Sequence, residues 1–408
     1  MAWVGGMRPA NRFKFNKNSN YLLIYEIILY LCFVKLTLKI KLLPTDEQAN
    51  LLLETMKEAN LVCNAISDVA WEKKIFNNFK LHHEVYHSYK ATFKLSSQIL
   101  VRCIAKVADA YKLDKKTKRE FRPLGSIGYD SRIMTYKPND IVSLWAIGGR
   151  IKIPFVCHNR NYLPYIKGEA DLVYKKGKFY LFQTVDVPEE DIVDVEEFIG
   201  VDMGLIEIAA LSNGKSFNSK KLNDYREKRQ KVRSSLQSKG TKGSKKVLKR
   251  LSGKERTTST IINHTISKQI VQLAKTEGKG IAIEDLRGIR FSANKKGKKF
   301  RTRVGKWNFN QLRSFLTYKC LLNGVKLVDV PPNYTSKTCH NCLHIGNRQG
   351  KKFTCNNCDS VFDADENAAN NIALLGMNVS HPEKPSMLYC QVHSFLGLKP
   401  NPSLCVGG

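Results

Sequence analysis

Apolar and basic side chains alternate over residues 36–43, which predicts a β-strand that Pro44 ends. From 46 to about 73 the apolar positions recur every three to four residues, as expected of a helix capped by Thr45. The same spacing predicts a second helix from about 96 to 111. We expect the two helices to pack together as a small bundle.

Short alternating runs replace the helical pattern between 115 and 188. The runs cover 141–147, 150–156, 169–175 and 178–187, and turns rich in Gly, Asn and Lys separate them. This pattern predicts a small antiparallel β-barrel or sandwich. The strand at 36–43 is expected to complete it, with the helices as an insertion.

A third pattern begins at 198 with a buried strand, a turn and further strands up to 217. Two helices on either side of a Gly/Ser/Lys hinge are then predicted within 220–256. The remaining predictions are a helix at 257–275, a strand at 280–284, a helix at 307–323, a strand at 325–330 and a helix at 365–375. This order is that of an RNase H-like fold, so we predict an α+β multidomain chain.

The charge of the chain points to a polyanionic partner. The 408 residues are 42% apolar, enough for a substantial core, and the formal net charge is +31. Residues 220–256 carry fifteen Lys and Arg against three acids, and 286–306 carry nine with no acid. Such runs can be a merely solvated surface, but Gly and Ser between the charges favour contact with nucleic-acid phosphates. We therefore predict nucleic acid as partner, bound in a salt-dependent way, with 286–306 as a flexible loop.

The eleven cysteines do not resemble a disulfide framework. Four lie within 339–358 and the others are scattered, which favours a reducing, cytoplasmic location (nucleoid-associated in a prokaryote). The apolar segment 21–34 is too short to span a membrane, so no membrane partner is expected. Basic residues before it suggest a signal peptide, but no small-residue cleavage site follows. We prefer the interpretation that 1–34 is an extension outside the functional domains.

Three acidic residues stand at the ends of predicted elements. Asp202 and Glu284 each end an apolar strand, and Asp365 opens a helix. Taken alone, an acid in such a position is more often a cap or a solvated side chain. Because neighbouring strands lie about 5 Å apart, carboxylates at corresponding strand ends can converge with a third from a packed helix. Acids so clustered repel one another unless Mg²⁺ binds between them, and a two-ion site can hydrolyse a phosphodiester. Asp363 is the main alternative to Asp365, while alternation places Asp285 on the face opposite Glu284.

A four-cysteine pattern is the most specific local motif of the chain. Two CxxC pairs are separated by twelve residues, and their members are Cys339, Cys342, Cys355 and Cys358. Two such knuckles complete a tetrahedral structural zinc site, whereas a redox dithiol is the less favoured alternative. Because four thiolates leave no open coordination position, we expect this zinc to have no catalytic role. His340 and His344 are not expected to be ligands, since the cysteines suffice.

Several motifs together resemble the TnpB family of transposon-encoded proteins and the related compact type V CRISPR effectors. The resemblance is specific over 198–375 and looser over 35–197. The motifs are Gly200-Val-Asp202-Met-Gly204, Ile283-Glu284-Asp-Leu286, Pro332-Asn-Tyr334-Thr335-Ser336, the two CxxC pairs and Asp363-Ala-Asp365-Glu-Asn367.

The resemblance implies an RNA-guided DNA endonuclease, often named a transposase and associated with transposition and recombination. Asp202, Glu284 and Asp365 align with the catalytic residues of the family, and the implied partners are a guide RNA and a double-stranded DNA target beside a short flanking motif. The implied domains are an extension (1–34), a wedge β-barrel (35–44 and 115–197), a helical recognition region (45–114), a RuvC nuclease (198–331 and 360–375), a zinc ribbon (332–359) and a tail (376–408).

The sequence departs from the family pattern at two knuckle positions. Leu343 and Asp359 stand where the family often has Gly, so the ribbon is expected to be strained or differently shaped. The alternatives for function are a catalytically silent nucleic-acid-binding regulator, a compact type V effector and a strand-transferring transposase. The last is disfavoured because Glu stands in the middle of the acidic triad. Trp307 and Tyr334 are candidates for base stacking, although core packing is the stronger interpretation for Trp307. The guide, the flanking motif and the oligomeric state are left open.

Overall fold

The structure is a computed structural model that describes residues 33–286, 297 and 309–381. The chain divides into two compact units, Met1–Pro188 and Glu189–Gly408. The predictions for 1–32, for almost all of the basic segment 286–306, for Trp307 and for 382–408 lie outside the described residues.

The first unit contains a seven-stranded antiparallel sheet. Its strands are β1 (Phe33–Leu42), β2 (Ile127–Tyr129), β3 (Met134–Lys137), β4 (Ile141–Ala146), β5 (Gly149–Val156), β6 (Ile166–Lys175) and β7 (Lys178–Pro188). The order is β2-β6-β7-β1-β5-β4-β3, so the strand predicted at 36–43 does join the later strands. Among the described residues the two edge strands, β2 and β3, do not pair with each other. Hydrogen bonding therefore does not close this sheet into a barrel.

Three helices follow β1: α1 (Asp46–Glu72), α2 (Asn78–Thr92) and α3 (Ser97–Leu113). Thr45 caps α1 in a reciprocal pair with Gln48, and Ser96 caps α3, so the predicted helix starts are confirmed. The helix α2 is not predicted from the sequence, and its buried residues are Leu81 and Val85 alone. Both α1 and α2 pack against α3, so three helices, and not the two predicted, lie together here.

The second unit is built on a five-stranded sheet. Its strands are β8 (Phe198–Asp202), β9 (Glu207–Leu211), β10 (Ser216–Asn218), β11 (Gly280–Glu284) and β12 (Leu327–Val330), in the order β10-β9-β8-β11-β12. The strands β8, β11 and β12 are parallel, whereas β9 is antiparallel to β8. Since Ile283 pairs with Val201, the residues that follow them, Glu284 and Asp202, reach the same edge of the sheet.

Helices cover both faces of this sheet. They are α4 (Lys220–Lys239), α5 (Lys242–Leu251), α6 (Lys254–Glu277), α7 (Phe309–Leu321) and α8 (Ala364–Ser380). Ile270 of α6 and Leu316 of α7 belong to one core cluster, and Ile372 of α8 belongs to another. Gly200 allows α8 close to β8, because a Cβ there would lie 1.9 Å from the carbonyl oxygen of Ala369. Within the described ranges, no helix combines the length and apolar character needed to cross a lipid bilayer.

A small three-stranded ribbon stands between β12 and α8. It consists of β13 (Asn347–Gln349), β14 (Lys352–Thr354) and β15 (Val361–Asp363), paired antiparallel in that order. The four cysteines flank β13 and β14, and α8 begins directly after β15. The ribbon is therefore joined without a linker to the helix that opens with Asp365.

Candidate functional site

An open pocket of about 580 Å³ lies at the edge of the sheet where β8 and β11 end. Asp202 at the end of β8, Glu284 at the end of β11 and Asp365 in the first turn of α8 all line it. The parallel register of β8 and β11 brings the first two to one edge, and packing of α8 across the sheet brings the third. The three acids proposed from the sequence thus share one pocket.

The pocket concentrates negative charge. Burial, together with the nearby charges of Glu284 and Asp365, raises the pKa of Asp202 to about 7, while the charge of Arg348 opposes this rise. Burial also raises the pKa of Glu284, against the hydrogen bond from Thr335 and the charge of Arg348. Because the charges of Glu284 and Asp365 contribute to the rise in the pKa of Asp202, a cation bound between these acids would be electrostatically stabilised.

Two residues of the ribbon segment reach into this pocket. Arg348 on β13 donates from Nη2 to Oδ1 of Asp365 over 2.7 Å. Thr335, in the loop after β12, donates from its hydroxyl to Oε1 of Glu284 over 2.5 Å. Neither residue is predicted from the sequence as a site residue. For Thr335 the one available sign was its place in the motif from Pro332 to Ser336.

A fourth acid, Glu207 at the start of β9, also lines the pocket. Its Oε1 accepts from Lys351 Nζ over 2.7 Å, and its Oε2 is buried with no hydrogen-bond partner in the part of the chain that the structure describes. Glu207 is not predicted from the sequence as a site residue either. The one indication in the sequence was that Glu207 is an acid on the strand that follows the strand ending in Asp202.

The two competing acids occupy other positions. Asp363 is the N-cap of α8, and its Oδ1 accepts from the backbone N–H groups of Asp365 and Glu366 at 2.9 and 3.2 Å. That role satisfies two of the free donors at the helix start. Asp285 is not among the described residues that line the pocket. The geometry therefore favours Asp365 over Asp363 as the third acid.

The four cysteines form a compact cluster in the ribbon. Their sulfurs all lie within 4.8 Å of one another, and the Sγ–Sγ distances are 3.7 Å for Cys339 to Cys358 and 3.4 Å for Cys342 to Cys355. A tetrahedral zinc site with Zn–S bonds of about 2.3 Å has sulfurs about 3.8 Å apart. The donor set and its spacing fit zinc.

Local hydrogen bonds already favour thiolate at part of this cluster. The backbone N–H of His344, directed at the sulfur, lowers the pKa of Cys342 to about 6, whereas burial raises the pKa of Cys339 to about 12. Leu343 and Asp359, where the family often has Gly, have φ values of 63° and 51°. The knuckles thus keep the left-handed conformation that Gly favours, and the expected strain falls on these two residues.

The carboxylate pocket suits a different kind of metal. Its donors are carboxylate oxygens, the ligands that Mg²⁺ prefers, and its charge calls for a cation. The three carboxylates lie farther apart than the four sulfurs. Within the described ranges, the cysteines are the one set of three or more possible ligands whose ligand atoms all lie within 4.8 Å of one another. The donor chemistry fits Mg²⁺, with room for water between the acids.

The basic segment 220–256 folds as α4, α5 and the start of α6. The helices α4 and α5 are separated by Gly240, which is in the left-handed conformation, as the predicted hinge requires. The exposed basic side chains of α5 are Lys242, Lys245, Lys246, Lys249 and Arg250. They present positive charge to solvent, and their contact with phosphates stays a prediction.

Comparisons with known proteins agree with these features. The family profile described as Cas12f1-like, TNB domain matches residues 309–372. A TnpB-like protein of Methanocaldococcus jannaschii is 31% identical over 215 residues, which cover 52% of this chain and 75% of that protein. A CRISPR-associated endodeoxyribonuclease Cas12f1 of Sulfoacidibacillus thermotolerans is 29% identical over 221 residues, 49% of this chain and 51% of that protein. The chain thus spans about half the length of this second relative.

A solved structure shares the fold over most of the chain. It is a Cas12f1–sgRNA–target DNA complex determined by cryo-EM, with a TM-score of 0.57 and 17% sequence identity. The match covers 81% of this chain and 83% of that one. At this identity the likeness concerns the fold alone.

Proposed function

Because the chain belongs to the TnpB-like family, which is related to the compact type V CRISPR effectors, we propose that it is a transposon-associated, RNA-guided DNA endonuclease. The observation that carries this proposal is the single pocket lined by Asp202, Glu284 and Asp365. Each acid comes from a different element of the second unit, so their meeting is a product of the RuvC-like fold and not of local sequence.

The proposed roles follow from the donor chemistry. Asp202, Glu284 and Asp365 bind Mg²⁺ through their carboxylate oxygens, and Arg348 holds Asp365 in place by its ion pair. Two Mg²⁺ ions in such a pocket would activate water and stabilise the leaving 3′-oxygen of a phosphodiester. The four cysteines hold a structural Zn²⁺ that takes no part in hydrolysis, since its coordination is complete.

The proposed partners are a guide RNA and a double-stranded DNA target. The similar solved structure is a complex of Cas12f1 with a single guide RNA and target DNA, and a net charge of +31 suits a long polyanion. Base pairing with the guide would supply sequence specificity, while the protein reads a short flanking motif and the shape of the heteroduplex. We assign the wedge role to the sheet of the first unit and the recognition role to α1–α3.

The test supplies the protein with its own guide and a matching target. Small-RNA sequencing of co-purified nucleic acid identifies the guide, and a plasmid with the complementary sequence is the substrate. The proposal predicts cleavage that needs both RNA and Mg²⁺ and is lost in Asp202→Ala. Cleavage without RNA would refute guidance, and a biological activity that survives in Asp202→Ala would indicate a regulator that only binds.

A further inference from the structure

A series of buried hydrogen bonds connects α8, the start of the zinc ribbon and Glu284. Thr335 is 4% exposed and Glu284 is 8% exposed, and the hydroxyl of the first donates to Oε1 of the second. The backbone carbonyl of Thr335 in turn accepts from the side-chain amide of Asn371 over 2.8 Å. The carboxylate at the end of β11 is thus held through Thr335 by a residue of α8.

Two asparagines of α8, one helical turn apart, fix the path of this loop. Asn371 Nδ2 and Asn367 Nδ2 each donate to the carbonyl of Thr338 over 2.7 Å. Asn367 Oδ1 accepts from the backbone N–H of His340 over 3.0 Å, inside the first knuckle. Asn367 and Asn371 are 0% and 1% exposed. Because buried amides need such partners, residues 335–340 have little freedom to shift against α8.

This arrangement restricts Glu284 at the atom that would bind metal. A glutamate side chain has three rotatable bonds and samples several rotamers when nothing holds it. Thr335 is itself stiff at χ1 because it is β-branched, so its hydroxyl gives a fixed donor. With Oε1 engaged by that donor, the orientation of the carboxylate in the pocket is defined before any cation arrives.

We propose that Thr335 is a positioning residue for metal binding, which orients the Glu284 carboxylate and is itself held by Asn371. The proposal rests on the proposed function only in taking Glu284 as a metal ligand. Partners of metal ligands typically contribute about 10- to 100-fold to metal affinity. A merely structural Thr335 would instead affect thermal stability and leave metal affinity unchanged.

The experiment measures Mn²⁺ binding to the full chain by electron paramagnetic resonance, with Mn²⁺ in place of Mg²⁺. Thr335→Val removes the hydroxyl and keeps the shape, and we expect its Mn²⁺ dissociation constant to rise about tenfold or more. Thr335→Ser keeps the hydroxyl and is expected to restore binding. The matched control is Thr354→Val in β14, whose hydroxyl donates instead to the carbonyl of Asn347, and which should bind as the unmodified protein does.

Asn371 provides a second, independent variant. Asn371→Ala releases the carbonyl of Thr335 and is expected to weaken Mn²⁺ binding in the same direction, while Asn370→Ala, one residue earlier with its amide on the carbonyl of Glu366, should not. Because both variants act through one hydrogen-bond series, Thr335→Val combined with Asn371→Ala should weaken binding by less than the product of the single effects. Circular dichroism establishes that each variant is folded, and Thr335→Ala replaces Thr335→Val should the latter not fold.

Equal Mn²⁺ affinity of Thr335→Val and the unmodified protein would overturn the positioning role, as would an unmodified protein without measurable Mn²⁺ binding. Failure of RNA guidance is a separate outcome. It would be seen as cleavage by the unmodified protein that does not depend on RNA, while the Mn²⁺ comparison, which needs neither guide nor target, still decides the role of Thr335.

Discussion

Arg348, on the first strand of the zinc ribbon, forms an ion pair with Asp365 at the start of α8, with Nη2 and Oδ1 2.7 Å apart. Its charge also lowers the pKa of Asp202 and of Glu284. The ribbon therefore contributes a cation to the carboxylate pocket. The same side chain partly compensates the repulsion among the three acids while no metal is bound.

Replacing Arg348 by Gln should shift the pH dependence of cleavage to higher pH. Loss of the positive charge raises the pKa of Asp202 above its value of about 7, so the ionised form that can bind metal is reached only at higher pH. The measurement is kcat/KM against pH at a fixed, limiting Mg²⁺ concentration, which reports the free protein. Arg313→Gln is the control, because Arg313 pairs with Asp329 and does not line the pocket. An acid limb that does not move in Arg348→Gln would contradict the electrostatic role.

Substituting each of the three acids by its amide should abolish cleavage and spare guide binding. Asp202→Asn, Glu284→Gln and Asp365→Asn each remove a charged oxygen ligand, and we expect losses above about 100-fold, more than the loss of an indirect partner causes. Guide affinity should stay unchanged, as measured by filter binding. Asp363→Asn is a demanding control, since Asn caps a helix about as well as Asp does. If Asp363→Asn loses cleavage and Asp365→Asn keeps it, the third ligand has been assigned to the wrong acid.

The purified protein should contain about one zinc ion per chain, and that zinc should stabilise the ribbon. Cys355→Ser removes one of the four thiolates and is expected to lower both the zinc content by elemental analysis and the melting temperature. Cys157→Ser provides the matched control, because Cys157 is a buried free cysteine of the first unit. Full zinc content in Cys355→Ser would contradict a four-cysteine site.

Much of the fold follows from local patterns, whereas several pocket residues do not. The strands at 141–146 and 178–188, the capped helices and the four cysteines each have a signature within a few residues of sequence. Thr335 and Glu284 are 51 residues apart, and their contact exists only because α8 holds the ribbon loop against the sheet. The contacts of Arg348 and Glu207 likewise depend on where the ribbon lies. Tertiary packing also determines α2, whose few buried side chains leave a weak helical pattern.

Gly200→Ala should severely destabilise the second unit. A Cβ at this position would meet the carbonyl oxygen of Ala369 at 1.9 Å and the backbone nitrogen of Ala373 at 2.5 Å, and neither backbone atom can move without displacing α8. Overpacking commonly costs about 1–3 kcal/mol and more where backbone is involved, so we expect a large fall in melting temperature and reduced cleavage. Gly243→Ala in α5 is the control: its Cβ would lie 3.9 Å from Oγ1 of Thr241, an ordinary van der Waals contact, and Ala is the better helix former. A Gly200→Ala protein as stable as the unmodified one would show that α8 can move away from β8.

Asp359→Gly should stabilise the ribbon, because the residue now pays a conformational cost that Gly would not. Asp359 has a φ of 51° and an exposed side chain, so the substitution relieves left-handed strain without removing buried contacts. That strain is about 1–2 kcal/mol for an average residue and lower for Asp, which predicts a rise in melting temperature of up to about 4 °C. Asp359→Ala keeps a Cβ in the same conformation and should bring no such gain.

At Leu343, the equivalent position of the other knuckle, loss of apolar burial is expected to offset the relief of strain. Its φ of 63° carries the same kind of strain, but its side chain packs against the cluster that includes Phe198 and Val330. Leu343→Gly therefore relieves the left-handed strain but loses apolar burial. We expect no net stabilisation, in contrast to Asp359→Gly. Melting curves of the zinc-loaded proteins make the comparison. If both Gly variants melt higher by the same amount, the contact of Leu343 with the sheet contributes nothing, and backbone conformation alone determines the stability of the two knuckles.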